Sequence, residues 1–529
     1  MNKRNIFVFL VCVLLTSSCK KFLEEYSRDL KYSETTDDLN KLMIGEAFLP
    51  NYNVTVYSQS TVTSLNDPQG LLAPWLHVMD DDSELSLADY VEPYEQTPRQ
   101  MLGGFHNWAH NPNVNILNQT WEESFWRKVY KRVGALNAII FQGENLASKN
   151  PEDLTLKRIR GEAFFMRAYY YFILQNIYGS PYRASTAASD LGVPLKVSEK
   201  IQDEYFSRNS NEAVYKQVIA DLEQAARLLE GYNPSTKVRV GIAAVKALQS
   251  RVYLYTEQYD KVLEITNNYD NLGYSLIDLN TYAANTNFTY RNSTESIFTM
   301  GPNSVPAVFL TDSTGTFGGA DNRASSFKVS NGLAETYTTD DMRRTAFFRR
   351  AAKSRAWLPG KYRTFQTPND PVQVSCIFYF RYAEIFLNRA EALAMRGSDA
   401  EAREEIQKLR IKRVKNASVS QLPQANEALV EFIRAERRRE LCFEGHRWFD
   451  LRRYAVNSKY PLPSSFNIKH PNYNYESQTK TYTPAGNYVL NSFSQDAAAW
   501  QVPIPGYAIE FNRGTLSNPV RPIRNVQPN

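Results

Sequence analysis

The sequence contains few of the residues from which catalytic sites and covalent cross-links are usually built. Only 4 of its 529 residues are cysteine and only 5 are histidine. A zinc-binding helix motif, a phosphate-binding glycine loop, a serine nucleophile elbow and a closely spaced cysteine pair are all missing. A metal or acid–base cluster would have to be assembled from distant segments. The sequence therefore predicts neither catalysis nor a cofactor.

The chain also lacks a strong net charge. Its 61 basic and 56 acidic residues leave a formal charge of +5, which is too balanced for the basic surface of a nucleic-acid binder. Nucleic acid is therefore not an expected partner. Hydrophobic residues make up 43% of the chain, aromatic residues make up 13%, and 33 residues are tyrosine. Such a chain can bury a large core, and its tyrosines suit a surface that binds polar ligands.

The N-terminus has the layout of a secretion signal. Lys3 and Arg4 precede an apolar run over residues 6–15, and the small residues 16–18 precede Cys19. The run is too short to span a bilayer. Residues 1–18 are therefore predicted to be a lipoprotein signal peptide, and Cys19 is predicted to carry the lipid anchor of the mature chain. An ordinary cleaved signal is the alternative.

Two cysteines, Cys376 and Cys442, remain after the predicted signal and lipid site are set aside. No disulfide framework follows from so few. Cys442 lies between Leu441 and Phe443 in a helical context, and we interpret it as a small buried apolar residue. A bond between Cys376 and Cys442 stays open at this point.

Apolar residues at three- to four-residue spacing predict a mainly α fold. One stripe runs from Phe125 to Ile140. The next helix is predicted to begin with Asn150 as its cap and Pro151 in its first turn, and to end at Gly179. Such paired helices resemble tetratricopeptide hairpins. Further helices are predicted around residues 218–229, 244–255, 382–396 and 400–412, and a short strand around 296–300.

Long polar stretches lie between the helices. Loops of this length are usually functional or disordered, and their many aromatic residues favour ordered loops that build a ligand surface. The mature chain, residues 19–529, is predicted to be a single unit. Its helical scaffold is predicted mainly at residues 120–265 and 378–455, and its loop-rich, ligand-binding parts mainly at 50–120, 270–370 and 455–500.

Two charged stretches are candidate ion-binding sites. Asp80, Asp81 and Asp82 are weak candidates for a calcium site, because oxygen ligands close in sequence suit that ion. They lack the spacing of a calcium-binding loop, so a solvated or helix-capping turn is preferred. In residues 435–454, AERRRELCFEGHRWFDLRRY, arginines alternate with acids beside apolar residues. Guanidinium–carboxylate pairs join packed helices, so we interpret this stretch as scaffold rather than as an anion site.

The same stretch resembles the signature of the SusD/RagB family of outer-membrane nutrient-binding lipoproteins. Other segments resemble that family in the same order, over essentially the whole mature chain. They are Trp126, Tyr130 and Asn137; residues 159–182; residues 214–229; Tyr337, Asp341 and Arg343; residues 382–393; and PIPGYAIEFN at 503–512.

The resemblance implies a mainly α, SusD-like fold made of tetratricopeptide-like helical hairpins, an irregular loop-rich part and a few short strands. It also implies a non-catalytic lipoprotein on the outer face of the outer membrane. Family members capture oligosaccharides, or peptides in some branches, for a SusC-like TonB-dependent transporter. An oligosaccharide is the expected ligand here, and a peptide is the alternative. A glycoside hydrolase is less favoured, because it needs two carboxylates flanking the scissile bond.

Carbohydrate-binding members of the family use aromatic platforms, because the apolar face of a sugar stacks on a ring while its hydroxyls need hydrogen bonds. No strict motif carries these positions over, so the candidates rest on their position in the loop-rich stretches. They are Trp75, Trp108, Tyr282, Tyr290 and Trp357. Glycines and asparagines surround Trp108, which favours an exposed loop, although large aromatic side chains are more often buried than exposed.

Overall fold

The computed structural model describes residues 34–51, 72–87, 97–115, 117–121, 124–200, 204–282, 288–309, 327–350, 356–362, 374–479 and 481–528. The predicted signal peptide and Cys19 lie outside these ranges. Helices dominate the described residues, which confirms the predicted mainly α fold. None of these helices is both long enough and apolar enough to cross a membrane.

The helices are α1 (Thr36–Leu42), α2 (Thr97–His106), α3 (Phe125–Lys149), α4 (Leu154–Tyr178), α5 (Asn211–Leu228), α6 (Ile242–Tyr255), α7 (Tyr259–Thr266), α8 (Val305–Phe309), α9 (Asn331–Ala334), α10 (Arg343–Ala346), α11 (Tyr382–Met395), α12 (Asp399–Arg410), α13 (Asn426–Leu441), α14 (Arg447–Ala455), α15 (Phe493–Asp496) and α16 (Gly506–Phe511). Short 3-10 turns lie at Pro74–His77, Tyr269–Leu272, Val419–Gln421 and Ala497–Trp500, and a π turn at Met43–Ala47.

The strands of the described residues form two-stranded antiparallel pairs: β1 with β3, β2 with β6, β4 with β5 and β7 with β8. They are β1 (Ser83–Leu85), β2 (Ser296–Thr299), β3 (Phe327–Val329), β4 (Phe348–Arg350), β5 (Trp357–Pro359), β6 (Tyr379–Arg381), β7 (Ile468–Glu476) and β8 (Thr481–Leu490).

Successive helices pack as antiparallel hairpins. Helix α3 packs on α4, α4 on α5, and α6 on α7, and further along the chain α11 packs on both α12 and α13. The stripe predicted from Phe125 to Ile140 is buried along α3, because one apolar face of an amphipathic helix is removed from water when it meets its neighbour. Each fully buried side chain of this kind contributes about 1.5–3 kcal/mol.

Helix α4 begins later than the sequence suggested. The carboxylate of Asp153 accepts hydrogen bonds from the amides of Thr155 and Leu156 at 2.9 and 3.0 Å, so Asp153 is the N-cap. The prediction of Asn150 as the cap is wrong, because Asn150 ends α3 instead. Inside α4, a Cβ added at Gly161 would lie 2.6 Å from Leu229 Cγ. This glycine therefore permits the close approach of α4 to the end of α5.

Most of the other predicted elements agree with the structure. The helices expected at residues 382–396 and 400–412 are α11 and α12, and the strand expected near 296–300 is β2. Residues 455–500, expected to be loop-rich, contain the long hairpin β7–β8. Most side chains of this hairpin are at least partly exposed. Its strands therefore lack the apolar alternation that signals a half-buried strand in a sequence.

The arginine-rich signature stretch is scaffold, as interpreted. Glu440 on α13 is completely buried and accepts hydrogen bonds from Arg343, Arg381 and Arg413. Arg381 also bonds to Glu295 and Glu444. Breaking one partner of such a buried network leaves an uncompensated charge in the core. The network therefore fixes the positions of α10, β6, α13 and the turn after α13 relative to one another.

Cys376 and Cys442 are both free and buried. The Sγ atom of Cys376 lies 3.2 Å from Nε2 of His77, while that of Cys442 lies 3.5 Å from the hydroxyl of Tyr337. The two cysteines thus have different neighbours, and no disulfide joins them.

Candidate functional site

Two of the five predicted platform residues lie in the core. Trp75 and Trp108 are both 0% exposed. Trp75 stacks on Phe105 with 5.1 Å between ring centroids, and Nε1 of Trp108 donates a 2.9 Å hydrogen bond to the carbonyl oxygen of Met79. A ring without exposed surface cannot stack on a sugar. The expectation that Trp75 and Trp108 act as platforms is therefore corrected.

The glycines beside Trp108 explain the error. Gly103 and Gly104 lie inside α2 rather than in an exposed loop. A Cβ added at Gly104 would lie 2.6 Å from the carbonyl oxygen of Pro112. The glycine therefore marks a close approach of two backbone segments and not an exposed loop.

The other three candidates, Tyr282, Tyr290 and Trp357, are partly exposed. Tyr282 contacts Phe288 with 6.3 Å between centroids, and Phe288 contacts Phe347 at 4.6 Å. The structure therefore brings together segments that are more than fifty residues apart in sequence. We call Tyr282, Tyr290 and Trp357, together with Arg344 and Arg350, the aromatic surface.

The hairpin of β4 and β5 positions the tryptophan of this surface. Arg350 pairs directly with Trp357 across the hairpin, and its guanidinium carbon lies 3.6 Å from the centroid of the Trp357 ring. Arg344 approaches the same ring at 5.7 Å. Because side chains alternate along a strand, the next residue, Leu358, points into the core. The indole thus stays at the surface with two cations beside it.

Tyr290 is linked to the same hairpin through its neighbour in sequence. The amide and hydroxyl of Thr289 donate to the carbonyl oxygen of Lys361 at 3.2 and 3.1 Å. Gly360, next to Lys361, permits the close approach of β4, because a Cβ there would lie 2.9 Å from the backbone of Phe348. Tyr290 and Trp357 therefore belong to segments joined by hydrogen bonds.

The buried ion network fixes the segment that follows β5, the strand that carries Trp357 of the aromatic surface. Nζ of Lys361 donates to the carbonyl oxygens of Glu440 and Cys442 at 2.6 and 2.9 Å and to the carboxylate of Glu444 at 2.6 Å. Burial opposes the charged forms of Glu440 and Glu444, yet the surrounding cations, Arg381 among them, hold the pKa of both carboxyls below the ordinary value. These carboxylates stay ionised and fix the end of the β4–β5 hairpin.

The three aspartates at positions 80–82 are not a solvated turn. They lie close enough to share a cation, with ligand oxygens within 4.8 Å of one another. Arginines already neutralise two of them: Arg447 donates to both oxygens of Asp81 at 2.7 and 2.8 Å, and Arg438 donates to Asp82 at 2.7 Å. The charge needed to attract a calcium ion is therefore largely cancelled.

A polar cleft of about 720 Å³ is a second recess that the sequence did not single out. The rings of Phe466 and Phe493 line it, and Trp500 lies behind both at centroid distances of 6.3 and 6.4 Å. Its polar lining includes Arg183, Asp190, Ser492 and Gln501. Arg183 is already paired with Asp190 at 3.1 Å. In the sequence, the feature that could have indicated this cleft is that Phe466 and Phe493 each lie next to serines.

Two family models match the chain. The model of the SusD family matches residues 334–520. The model described as "Starch-binding associating with outer membrane" matches residues 53–254. Together they cover more than two thirds of the chain.

Individual proteins agree with the family models. SusD-like protein P2 of Formosa agariphila is 24% identical over 415 residues, which are 70% of this chain and 78% of that protein. The fold is similar to that of a putative sugar binding protein from Bacteroides vulgatus, with a TM-score of 0.65 and 19% identity over 92% of this chain and 99% of the other. A SusD-like carbohydrate binding protein from the same organism gives a TM-score of 0.60 and 18% identity, over 91% and 97%.

Proposed function

Because this chain belongs to the SusD/RagB family, we propose that it captures an oligosaccharide without catalysis and delivers it to a SusC-like TonB-dependent transporter. In this proposal a lipid on Cys19 holds the protein on the outer membrane, with the binding face toward the cell exterior. The matching family description, which names starch binding and association with the outer membrane, supports the proposal. So do the two similar structures of sugar- and carbohydrate-binding proteins.

The observation that carries the proposal is the aromatic surface. Three partly exposed rings, Tyr282, Tyr290 and Trp357, come from segments that the fold joins. An aromatic ring stacks on the apolar face of a sugar, and the guanidinium groups beside Trp357 offer several N–H donors for hydroxyl oxygens. The buried carboxylates of Glu440 and Glu444 are already paired with arginine and lysine. The aromatic surface can therefore receive a ligand without a rearrangement of the ion network that supports it.

The position of the carboxylates favours binding over hydrolysis. A glycosidase needs two carboxyl groups about 5–9.5 Å apart that reach the scissile bond from both sides. Below the aromatic surface, Glu440 and Glu444 are buried and paired with arginine or lysine. Their depressed pKa values also exclude them as proton donors near neutral pH.

Calorimetry on the purified chain tests the proposal. We would titrate maltoheptaose, a panel of other soluble oligosaccharides and a panel of short peptides, and measure released reducing sugar in parallel. We expect saturable binding of at least one oligosaccharide and no sugar release. Binding of peptides alone would replace the proposal with the peptide alternative, and sugar release would make the protein an enzyme. Co-purification of a TonB-dependent transporter from outer membranes tests the delivery step separately.

A further inference from the structure

A groove between α3, the segment around Pro194 and α16 is lined mainly by aromatic rings. Its volume is about 620 Å³, within the range of about 300–1,000 Å³ typical of concave binding sites. It shares no lining residue with the aromatic surface or with the polar cleft. The rings that line it belong to Trp126, Tyr130, Phe206, Tyr507 and Phe511.

Hydrogen bonds between its walls preform the groove. The hydroxyl of Tyr130 donates to the carbonyl oxygen of Pro194 at 2.8 Å, and the amide of Phe206 donates to Oδ1 of Asn512 at 2.8 Å. These bonds hold α3 and α16 against the segments that face them. The groove therefore exists before a partner arrives, and little conformational entropy is lost when the groove is filled.

Phe511 projects from the protein at the edge of this groove. It lies four residues after Tyr507 on α16, so the two rings share one face of the helix. Tyr507 is partly buried, whereas Phe511 is 74% exposed. A phenylalanine side chain gains about 1.5–3 kcal/mol when it is removed from water. One surface of the protein thus carries both an apolar projection and an apolar recess.

Two further apolar side chains are exposed beside the groove. Val197 and Tyr205 are each 46% exposed, and their neighbours in sequence, Lys196 and Phe206, line the groove. The guanidinium carbon of Arg513 lies 5.2 Å from the centroid of the Tyr205 ring, which joins this flank to the end of α16. Larger exposed apolar patches mark contacts between proteins. The apolar surface extends beyond the groove, and this favours a protein as the occupant.

The rim of the groove carries charges of both signs. Nζ of Lys131 pairs with the carboxylate of Glu46 at 3.5 Å. Burial lowers the pKa of Lys196, while the nearby charges of Glu204 and Glu199 act in the opposite direction. A rim of this kind does not select a partner with charge of one sign. It complements a surface that also carries both signs, because the acids of one surface can lie beside the cations of the other.

We propose that this face binds a second copy of the same chain, and that the exposed ring of Phe511 from each copy enters the groove of the other. In a two-fold symmetric dimer the same patch is used by both subunits, so each contact is made twice. A face with a projection, a recess and both signs of charge meets this requirement by itself. An unrelated partner would need a ring for the groove and a separate pocket for Phe511. This dimer does not depend on the proposed carbohydrate function.

Sedimentation velocity of the purified chain over a range of concentrations tests the proposal. We expect a reversible equilibrium between monomer and dimer. Phe511→Ala should raise the dissociation constant at least about tenfold, which corresponds to roughly 1.4 kcal/mol, because the ring is buried twice in each dimer. Leu154→Ala, at a side chain that is 77% exposed at the start of α4, is the matched control and should leave the dissociation constant unchanged.

A second variant tests the recess and leaves Phe511 in place. Gly134 on α3 lines the groove, and a Cβ added there would meet nothing within 4 Å. Gly134→Leu should therefore fill part of the groove without disturbing the fold, and it should weaken the dimer at least about tenfold. Gly332→Leu, at an exposed glycine on α9, is the matched control and should keep the wild-type dissociation constant.

A chain that stays monomeric at every concentration would overturn the proposal. A dimer that neither Phe511→Ala nor Gly134→Leu weakens would also overturn it, as would equal losses in the variants and their controls. If the chain is monomeric and Phe511→Ala abolishes co-purification of a TonB-dependent transporter, the face binds the transporter and not a second copy. Sedimentation uses no sugar, so a negative result leaves the proposed carbohydrate binding unaffected.

Discussion

The indole of Trp108 lies against the imidazole of His470, with 4.3 Å between ring centroids and 19° between the ring planes. His470 stacks on His106 at 3.8 Å, and its Nδ1 lies 2.6 Å from the carbonyl oxygen of His106. This stack joins the end of α2 to strand β7. The tryptophan that looked like part of an exposed loop is therefore a core contact between segments far apart in the chain.

Replacement of Trp108 by alanine should lower the free energy of unfolding by about 3–5 kcal/mol, because it leaves a large cavity in the core. Urea unfolding measures this change. Oligosaccharide affinity of the folded variant should stay unchanged. Lost affinity with unchanged stability would contradict the core position of Trp108.

Replacement of Trp357 by alanine should weaken ligand binding and leave stability almost unchanged. Oligosaccharide binding should weaken by about 1–3 kcal/mol if the ring is a platform, while the unfolding free energy should change little because the side chain is partly exposed. Phe493→Ala in the polar cleft is the matched control and should keep full affinity. If Phe493→Ala weakens binding and Trp357→Ala does not, the sugar binds in the cleft.

Replacement of Arg381 by methionine should lower the unfolding free energy by about 3–5 kcal/mol, since it removes one cation from three buried carboxylates and leaves their charge incompletely compensated. Burial opposes the charge of Arg381, but Glu444, Glu440 and Glu295 together raise its pKa well above the usual value. Lys41→Gln removes an exposed ion pair with Asp37 and should cause no measurable loss. Equal stability of the Arg381 variant and wild type in urea would argue against the buried network.

Acidification should destabilise the protein through its buried histidines. Burial lowers the pKa of His77 to about 4, whereas an unfolded histidine titrates near 6.5. Between these values the unfolded chain binds more protons, so the unfolding free energy falls as the pH falls, by up to about 1.4 kcal/mol per pH unit. Burial lowers the pKa of His106, His446 and His470 in the same direction.

His77→Gln should therefore reduce the dependence of stability on pH between about pH 6.5 and 4, measured by urea unfolding at several pH values. His110→Gln is the matched control at an exposed histidine and should keep the wild-type slope. An unchanged slope in the His77 variant would mean that His77 binds protons as readily in the folded state as in the unfolded chain.

Replacement of Cys19 by alanine should release the protein from membranes, because the predicted acylation site is lost. Membrane fractionation followed by immunoblotting measures the release. Cys442→Ala, at a buried free thiol, should leave the protein in the membrane fraction. Retention of the Cys19 variant would count against the lipid anchor.

The helical architecture could be read from the sequence because its signals are local. An apolar residue every three or four positions marks a helix face wherever that face is buried, and the predicted helices α3, α11 and α12 follow this rule. The cap of α4 was misplaced by three residues, since Asn150 and Asp153 offer the same chemistry and only the backbone path selects between them. The division into one unit at residues 19–529 stays a prediction.

The sequence alone determined that this protein is a stack of helical hairpins of the SusD/RagB type, with an arginine–carboxylate scaffold in its signature stretch. The tertiary structure alone decided which rings can meet a ligand. Trp108 and Trp357 both lie in stretches that looked like loops, but one packs on His470 and the other remains at the surface beside Arg350. Whether a side chain is exposed depends on contacts between residues that are distant in the chain. The amino-acid composition around each tryptophan does not predict those contacts.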